Sequence, residues 1–284
     1  WSGTLSNFDN LSMYKINLTG SSGNITYEGL TLTPSEVPLT ISAGWNWVSY
    51  IPSESIDINL ALASLGSDAI YIKSQSGYAD YYQEAGVWSG TISALEPKDG
   101  YMINATNAST LTYPDPVLSN NDTQPLYQNY TYNDVDFNYH KFEFNASVTI
   151  EIDIDDVMET KNDRISVFKN KELRGIVYGD KCPLNNKIMF NLMFYSNQEH
   201  EENLNFVYYN SISGMEYDLS EKIDFDKDAI IGNIYEPLIL TTDTILPSIL
   251  VLMAPYPNPF NPTTKIDFQL PQMVDNLTLS IYDI

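Results

Sequence analysis

The sequence predicts a mostly β protein: a small β-rich repeat module, then a β-sandwich module, then a short third piece. Two observations carry this prediction. Short runs rich in aromatic and β-branched residues recur along the chain, and clusters of Gly, Pro, Asn and Ser separate them, which is typical of strands and turns. Several runs also alternate apolar and polar residues with a period of two, as expected for strands that bury one face.

An internal repeat organises the first part of the chain. The run WSGTLS at 1–6 returns as WSGTIS at 88–93, and Tyr14 and Ile16 return as Tyr101 and Ile103, at the same offset of 87 residues. Residues 1–36 are therefore predicted to be the C-terminal half of a first copy. Residues 37–118 are predicted to be a complete β-rich module.

The complete copy begins with a strand over 44–51 that Pro52 ends. Apolar residues at Ile58, Leu62 and Leu65, followed by Gly66, predict a short helix of about two to three turns within 56–65. Alternating or β-branched runs then predict further strands at 68–74, 78–82, 87–92, 100–105 and 110–113.

A linker at 119–125 leads into a second module, predicted to be a β-sandwich over 126–243. Its first strand places Val148, Ile150, Ile152 and Ile154 on one face. Regular spacing and turn clusters predict further strands at 165–168, 173–178, 188–195, 203–209 and 216–219. A second linker is expected at 244–254.

Composition excludes several function classes. With 14 Lys and Arg against 37 Asp and Glu, the net charge is −23 and the pI about 4.1, so binding to nucleic acid or to an anionic membrane surface is not expected. No apolar run is long enough for a membrane span. One cysteine and two histidines argue against a zinc site or a Cys–His nucleophile, and we predict no catalytic residue.

Calcium is the best cofactor hypothesis, because hard cations need several oxygen ligands. Asp224, Asp226 and Asp228 resemble the start of an EF-hand loop, but Ala229 and Tyr235 stand where that loop needs Gly and Glu. Glu151, Asp153 and Asp155 form a second candidate cluster on the polar face of the first sandwich strand. For both clusters the alternative is a solvated strand face, which we favour over a metal site.

Three tryptophans are candidates for binding sugar rings by stacking. Trp45 and Trp47 alternate on one strand face, and Trp88 belongs to the repeated WSGT run. Small β modules commonly use such aromatic residues as core. We therefore expect all three in the core, with a sugar-binding platform as the alternative.

The third piece, residues 255–284, opens with a proline at every second or third position, which predicts an extended segment. The run resembles the opening of a type A C-terminal sorting domain of the type IX secretion system. The resemblance rests on Tyr256, Pro257, Asn258, Pro259, Phe260, Asn261, Pro262, Thr263, Thr264, Ile266, Phe268, Leu270 and Pro271. It implies export across the outer membrane of a Bacteroidetes-type bacterium, with the secretion machinery as partner and an extracellular or cell-surface location.

Together these features predict a non-catalytic, extracellular binding or structural region, such as a stalk or adhesin. Two alternatives stay open: accessory modules of a secreted hydrolase whose catalytic domain lies upstream, and a polysaccharide-binding module. The chain begins at Trp1 without Met and ends at Ile284 within a strand-like run, so we expect it to be a piece of a longer protein.

Overall fold

The computed structural model describes residues 7–16, 26, 29–30, 32–115, 137–155, 157–242, 251–252, 254–256, 258–259, 261–266, 268–269, 278 and 280. The chain divides into two compact units, Trp1–Asp136 and Phe137–Ile284. Strands dominate both units, so the predicted mostly β fold is confirmed. No helix among the described residues has the length and apolar character needed to cross a membrane.

The first unit is built on a five-stranded antiparallel sheet with the order β2-β8-β4-β5-β6. Two smaller pairings, β1 with β9 and β3 with β7, lie beside it. The strands of this unit are β1 (Leu39–Ile41), β2 (Gly44–Ser49), β3 (Ile56–Asp57), β4 (Ala69–Lys73), β5 (Tyr78–Tyr82), β6 (Val87–Gly90), β7 (Ala94–Leu95), β8 (Gly100–Ala105) and β9 (Ser109–Leu111).

The predicted helix of two to three turns is wrong in length. A single α-helical turn, α1 (Ile58–Ala61), is followed by hydrogen-bonded turns over 62–65 and by a 3-10 turn at Gly66–Asp68. Asp57 caps α1 by accepting a hydrogen bond of 2.9 Å from the backbone N–H of Asn59. The three apolar residues that suggested a longer helix are all buried, so short turns place them in the core without a continuous helix: Ile58, Leu62 and Leu65.

One face of the large sheet packs on the core of the first unit. Ile72, Trp88 and Ile103 come from this face, and Ile41, Leu95 and Leu111 come from the smaller strand pairs. Tyrosines also belong to this core. Tyr50 lies edge-on to Tyr113, with ring centroids 5.3 Å apart, and the Tyr113 hydroxyl donates to the backbone oxygen of Ser49.

The two repeat copies share one hydrogen bond in the loop before the repeated tyrosine. In the complete copy the backbone N–H of Glu96 donates a hydrogen bond of 2.8 Å to the Tyr101 hydroxyl. In the first copy the N–H of Asp9 donates a hydrogen bond of 3.0 Å to the Tyr14 hydroxyl, five residues on in both cases. The first-copy loop lies against the complete copy, because the Ser49 hydroxyl donates to the backbone oxygen of Asn10 at 2.6 Å.

The second unit contains two larger sheets that enclose one core, which is a sandwich-like arrangement. One sheet has the order β13-β14-β10-β17, with β18 also pairing with β10, and the other has the order β12-β11-β15-β16. Their strands are β10 (Phe144–Ile152), β11 (Arg164–Lys169), β12 (Glu172–Tyr178), β13 (Asp180–Lys181), β14 (Ile188–Ser196), β15 (His200–Asn210), β16 (Met215–Asp226), β17 (Ile230–Ile231) and β18 (Leu238–Leu240).

At Gly175 the backbones of β12 and β14, which belong to different sheets, lie close together. A Cβ atom at Gly175 would lie 2.5 Å from the backbone oxygen of Met193, so only glycine allows β12 to approach β14 here. Side chains from both sheets fill the space between them. They include Val148, Ile150, Val167, Phe190, Phe194, Phe206, Tyr217 and Phe225.

β16 is much longer than the predicted strand at 216–219. Its alternation continues through Ile223 and Phe225, which are both buried. The predicted strand ends at 219 because Glu221 interrupts the series of alternate apolar residues. The Glu221 carboxylate accepts hydrogen bonds of 2.7 Å from the backbone N–H and the hydroxyl of Thr241, and these bonds allow an acid at an inward-facing position.

Two short strands, β19 (Val251–Leu252) and β20 (Phe268–Gln269), form an antiparallel pair. A backbone bridge joins Tyr256 and Lys265, with hydrogen bonds of 3.0 Å in both directions. The chain therefore reverses between Tyr256 and Lys265, and the prediction of an extended proline-rich run is wrong for its described residues, since Asn258, Pro259, Asn261 and Pro262 form bends. Proline nitrogens have no hydrogen to donate to a strand ladder, which explains why Pro259 and Pro262 are not paired in a sheet.

Candidate functional site

The large sheet of the first unit has a second face, opposite the core, that carries aromatic and polar side chains in two cross-strand rows. We call it the aromatic face. Its first row runs across the five strands as Trp45, Asn104, Tyr71, Asp80 and Ser89. Its second row contains Trp47, Met102, Lys73 and Tyr78.

Trp45 and Trp47 are on this face and not in the core, so the expectation of a core position is wrong for both. Trp45 is 37% and Trp47 48% exposed, whereas Trp88 is 6% exposed and packs in the core as expected. The alternate residues of β2 face inward instead. Val48 is buried, and the Asn46 side chain satisfies its amide with hydrogen bonds to Ser42.

Neighbouring side chains hold the Trp45 ring in place. Tyr71 meets it edge to face, with centroids 5.9 Å apart and an interplanar angle of 87°. Tyr78 in turn stacks on Tyr71 at 5.6 Å. The Nζ atom of Lys73 lies 5.4 Å from the Trp45 ring centre, within the range of a cation–π interaction. Trp45 is therefore a rigid aromatic surface that is still open to solvent.

Asp80 adds a titratable group to the first row, directly across from Tyr71. Burial raises the pKa of Asp80 to about 7, although a hydrogen bond from Tyr82 acts in the opposite direction. At neutral pH the middle of the aromatic face therefore carries a partly protonated carboxyl group.

The structure does not gather the first calcium candidate in a loop. Asp224 and Asp226 lie in β16, and Asp228 follows in a turn with φ of +64°. Asp224 accepts a hydrogen bond of 2.8 Å from the backbone N–H of Asn203, and Asp226 lies 2.8 Å from Nδ1 of His200. Both carboxylates thus have protein partners, and alternate residues on a strand are about 6.6–7 Å apart.

The second calcium candidate is also divided. β10 ends at Ile152, so Asp153 and Asp155 lie beyond the strand and are exposed. Glu151 pairs with Lys187 at 2.6 Å. Within the part of the chain that the structure describes, no three His, Cys, Asp or Glu side chains are arranged to hold a metal ion. Calcium binding stays a prediction.

A buried carboxylate that sequence reasoning missed organises the second unit. Asp163 is fully buried, and its carboxylate accepts hydrogen bonds from four residues. The donors are the Tyr208 hydroxyl at 2.5 Å, the backbone N–H and hydroxyl of Ser211 at 2.8 and 2.7 Å, the N–H and hydroxyl of Thr160 at 2.8 and 2.9 Å, and the Asn210 amide at 3.3 Å. Burial alone would raise the pKa of Asp163, but these donors outweigh it and hold the pKa below its usual value.

A buried ion pair is the second feature of this unit that the sequence did not indicate. Arg174 is 9% exposed, and its Nη1 lies 3.0 Å from Oε2 of Glu201. The guanidinium carbon lies 5.2 Å from the centre of the Phe142 ring. The buried charges of Asp163 and Arg174 both have protein partners, and this explains their positions without a ligand.

Most of the described residues of the run that resembles a sorting domain are exposed, Tyr256 by 80% and Phe268 by 41%. Asn258, Pro259, Asn261, Pro262 and Thr263 are exposed as well, whereas Thr264 and Ile266 are half-buried. Pro257, Phe260, Leu270 and Pro271 lie outside the described residues.

Comparison of the chain with protein-family models, with curated proteins and with solved structures gives no match. The sorting domain, the export route and the extracellular location are therefore still predictions from the motif.

Proposed function

We propose that this chain is a non-catalytic binding region and that the aromatic face of its first unit binds polysaccharide. The exposure of Trp45 and Trp47 on a sheet face outside the core carries this proposal. Large aromatic side chains are normally buried because each removes ~150–250 Å² from water, so two of them side by side in solvent need an explanation. A ligand with a flat apolar face, such as a sugar ring, would remove the exposed surfaces of these two rings from water.

The position of the two rings suits an extended ligand. Trp45 and Trp47 alternate on β2, so their Cα atoms are about 6.6–7 Å apart and both rings stand on the same side of the sheet. A strand within a five-stranded sheet keeps this spacing rigid, and little side-chain entropy is lost when a ligand binds. Two aromatic surfaces in line can therefore contact more than one residue of a sugar chain.

We further propose that the chain belongs to an exported protein, on the strength of the motif at 255–284. A strongly acidic surface keeps such a protein soluble. Expression of the natural protein with and without the motif, in bacteria with and without a type IX secretion system, tests this proposal. The protein outside the cell should depend on both the motif and the system, and release that needs neither contradicts export by this route.

Affinity electrophoresis tests polysaccharide binding. The chain is run through gels that contain hydroxyethylcellulose, xyloglucan, glucomannan or laminarin. We expect retardation by at least one of them, lost in the Trp45→Ala and Trp47→Ala variants and kept in a Trp88→Phe control that retains a large core ring. Far-UV circular dichroism checks that each variant is folded. If none of these polysaccharides retards the wild-type chain, the proposal is contradicted.

A further inference from the structure

Asn104 stands between two rings of the aromatic face. It is the cross-strand partner of Trp45 on one side and of Tyr71 on the other. All three side chains point to the same side of the sheet, because directly paired residues share a face. Asn104 is half-buried, so its amide is held by the sheet and is still reached by solvent.

The Asn104 amide offers both kinds of hydrogen-bonding group. Its NH₂ has two donors and its carbonyl oxygen has two acceptor sites. Among the described residues, no side chain or backbone group makes a hydrogen bond with this amide, whereas Asn46 and Asn107 each use their amides in local bonds. Polar groups of this kind, few in number and set among aromatic rings, fix the orientation of a ligand in a binding site.

We infer that Asn104 is the specificity-determining residue of this surface and hydrogen-bonds two hydroxyl groups of an uncharged sugar whose ring lies on Trp45. This inference rests on the proposed function. An adjacent pair of sugar hydroxyls presents one donor and one acceptor, which matches the amide. A site that hydrogen-bonds a hydroxyl discriminates strongly against a ligand that lacks it or directs it elsewhere, because its polar groups are then left unpaired.

The charge of the surroundings favours an uncharged ligand. The chain carries a net charge of −23, which repels anionic polysaccharides. Lys73 is the cation of the described aromatic face, and it is only 3% exposed beside the Trp45 ring. Asp80, in the same row as Asn104, adds negative charge above neutral pH.

The second row of the aromatic face differs from the first at the position equivalent to Asn104. Met102 occupies, between Trp47 and Lys73, the position that Asn104 occupies between Trp45 and Tyr71. A thioether contributes apolar contact and is only a weak acceptor. We therefore assign selectivity to the row of Trp45 and Asn104, and general apolar contact to the row of Trp47 and Met102.

The test compares two uncharged β-1,4-linked sugar chains, cellohexaose and mannohexaose, by isothermal titration with the full chain. The two differ in the direction of one hydroxyl on each ring. The wild-type chain should prefer one of them by tenfold or more. Asn104→Ala should lower affinity for the preferred sugar about tenfold and remove most of the preference, since one to two hydrogen bonds are lost. Asn107→Ala, an exposed asparagine just after β8, is the matched control and should change neither value.

The possible results distinguish the role of Asn104 in specificity from polysaccharide binding itself. If Trp45→Ala abolishes binding while Asn104→Ala keeps both affinity and preference, Asn104 has no role in specificity and polysaccharide binding stands. If the wild-type chain binds both sugars equally, the inference is also overturned. If it binds neither of these sugars and no polysaccharide retards it, the proposed function itself fails, and the role of Asn104 with it.

Discussion

The ammonium group of Lys73 lies 5.4 Å from the centre of the Trp45 ring, although Lys73 is almost fully buried. A buried cation beside an exposed indole fixes the ring and polarises it. Methionine at this position keeps most of the apolar stem and removes the charge. We expect Lys73→Met to weaken polysaccharide binding about two- to fivefold, since the ring loses a contact of ~0.5–1 kcal/mol that orders it before the ligand binds.

This effect is measured by adding the polysaccharide that retards the chain and following the intrinsic tryptophan fluorescence. Lys161→Met, which changes an exposed lysine of the second unit, is the control and should leave the affinity unchanged. Equal affinities for wild type and Lys73→Met would show that the Lys73 charge does not support the binding surface.

The assignment of tryptophans to core and surface predicts opposite effects on stability. Trp88→Ala should destabilise the first unit by about 3–5 kcal/mol, because it empties a buried site. Trp47→Ala should cost about 1 kcal/mol or less, because half of the ring is already in water. All four tryptophans precede residue 137, so urea unfolding followed by the remaining tryptophan fluorescence reports on this unit. Similar losses for both variants would contradict the assignment.

Asp80 makes the stability of the first unit depend on pH. Its pKa is about 7 in the folded chain and 3.8 ordinarily, so between these values the folded state binds more protons than the unfolded state. Stability therefore falls as the pH rises from about 4 to 7, and the full cost of the buried charge is present above pH 7. Asn at this position cannot ionise and keeps an oxygen that accepts from Tyr82.

We expect Asp80→Asn to unfold at higher urea concentration than wild type at pH 8 and at nearly the same concentration at pH 5. Asp153→Asn replaces an exposed carboxylate and is the control. A stability difference between Asp80→Asn and wild type that is equal at the two pH values would show that Asp80 ionises normally.

Asp163 should dominate the stability of the second unit. Asp163→Ala leaves the backbone N–H groups of Thr160 and Ser211 without an acceptor, and we expect a loss of at least about 3 kcal/mol. The pKa of Asp163 is lowered, so its contribution is present above its usual pKa of 3.8 and is lost as the pH falls through the folded value.

The single cysteine gives a direct measurement of this effect. Cys182 is buried in the second unit, so its labelling by a thiol reagent in urea reports unfolding there. Asp163→Ala should be labelled at clearly lower urea concentration than wild type, and Asp163→Asn, which keeps one acceptor oxygen, at an intermediate concentration. Labelling of Asp163→Ala at the wild-type concentration would show that the network is dispensable.

The sequence predicted the fold class and several elements well because period-two alternation is a local signal. The strands at 78–82 and 100–105 have the bounds that the structure gives. The position of Trp45 and Trp47 could not be predicted in this way. Alternation shows that two residues share a face, but which face is buried depends on strands far along the chain, here β4 and β8.

Asp163 was missed for a related reason. It lies two residues before the predicted strand at 165–168, which is an ordinary place for a solvated acid. Its donors Tyr208 and Ser211 lie 45 and 48 residues away, so no local pattern indicates the network. The only signal was an acid placed against an apolar run with Thr160 three residues before it, and this pattern alone is also typical of a turn.

The most direct test of the central claim follows the indole N–H signals of the four tryptophans by NMR while cellohexaose, or an oligosaccharide of whichever polysaccharide retards the chain, is added. Single Trp→Phe variants assign the signals. If sugar binds to the aromatic face, the Trp45 and Trp47 signals shift with the same saturation curve while the Trp88 signal stays in place. Saturable binding that shifts Trp88, or that leaves Trp45 and Trp47 unmoved, would contradict a binding site on the aromatic face.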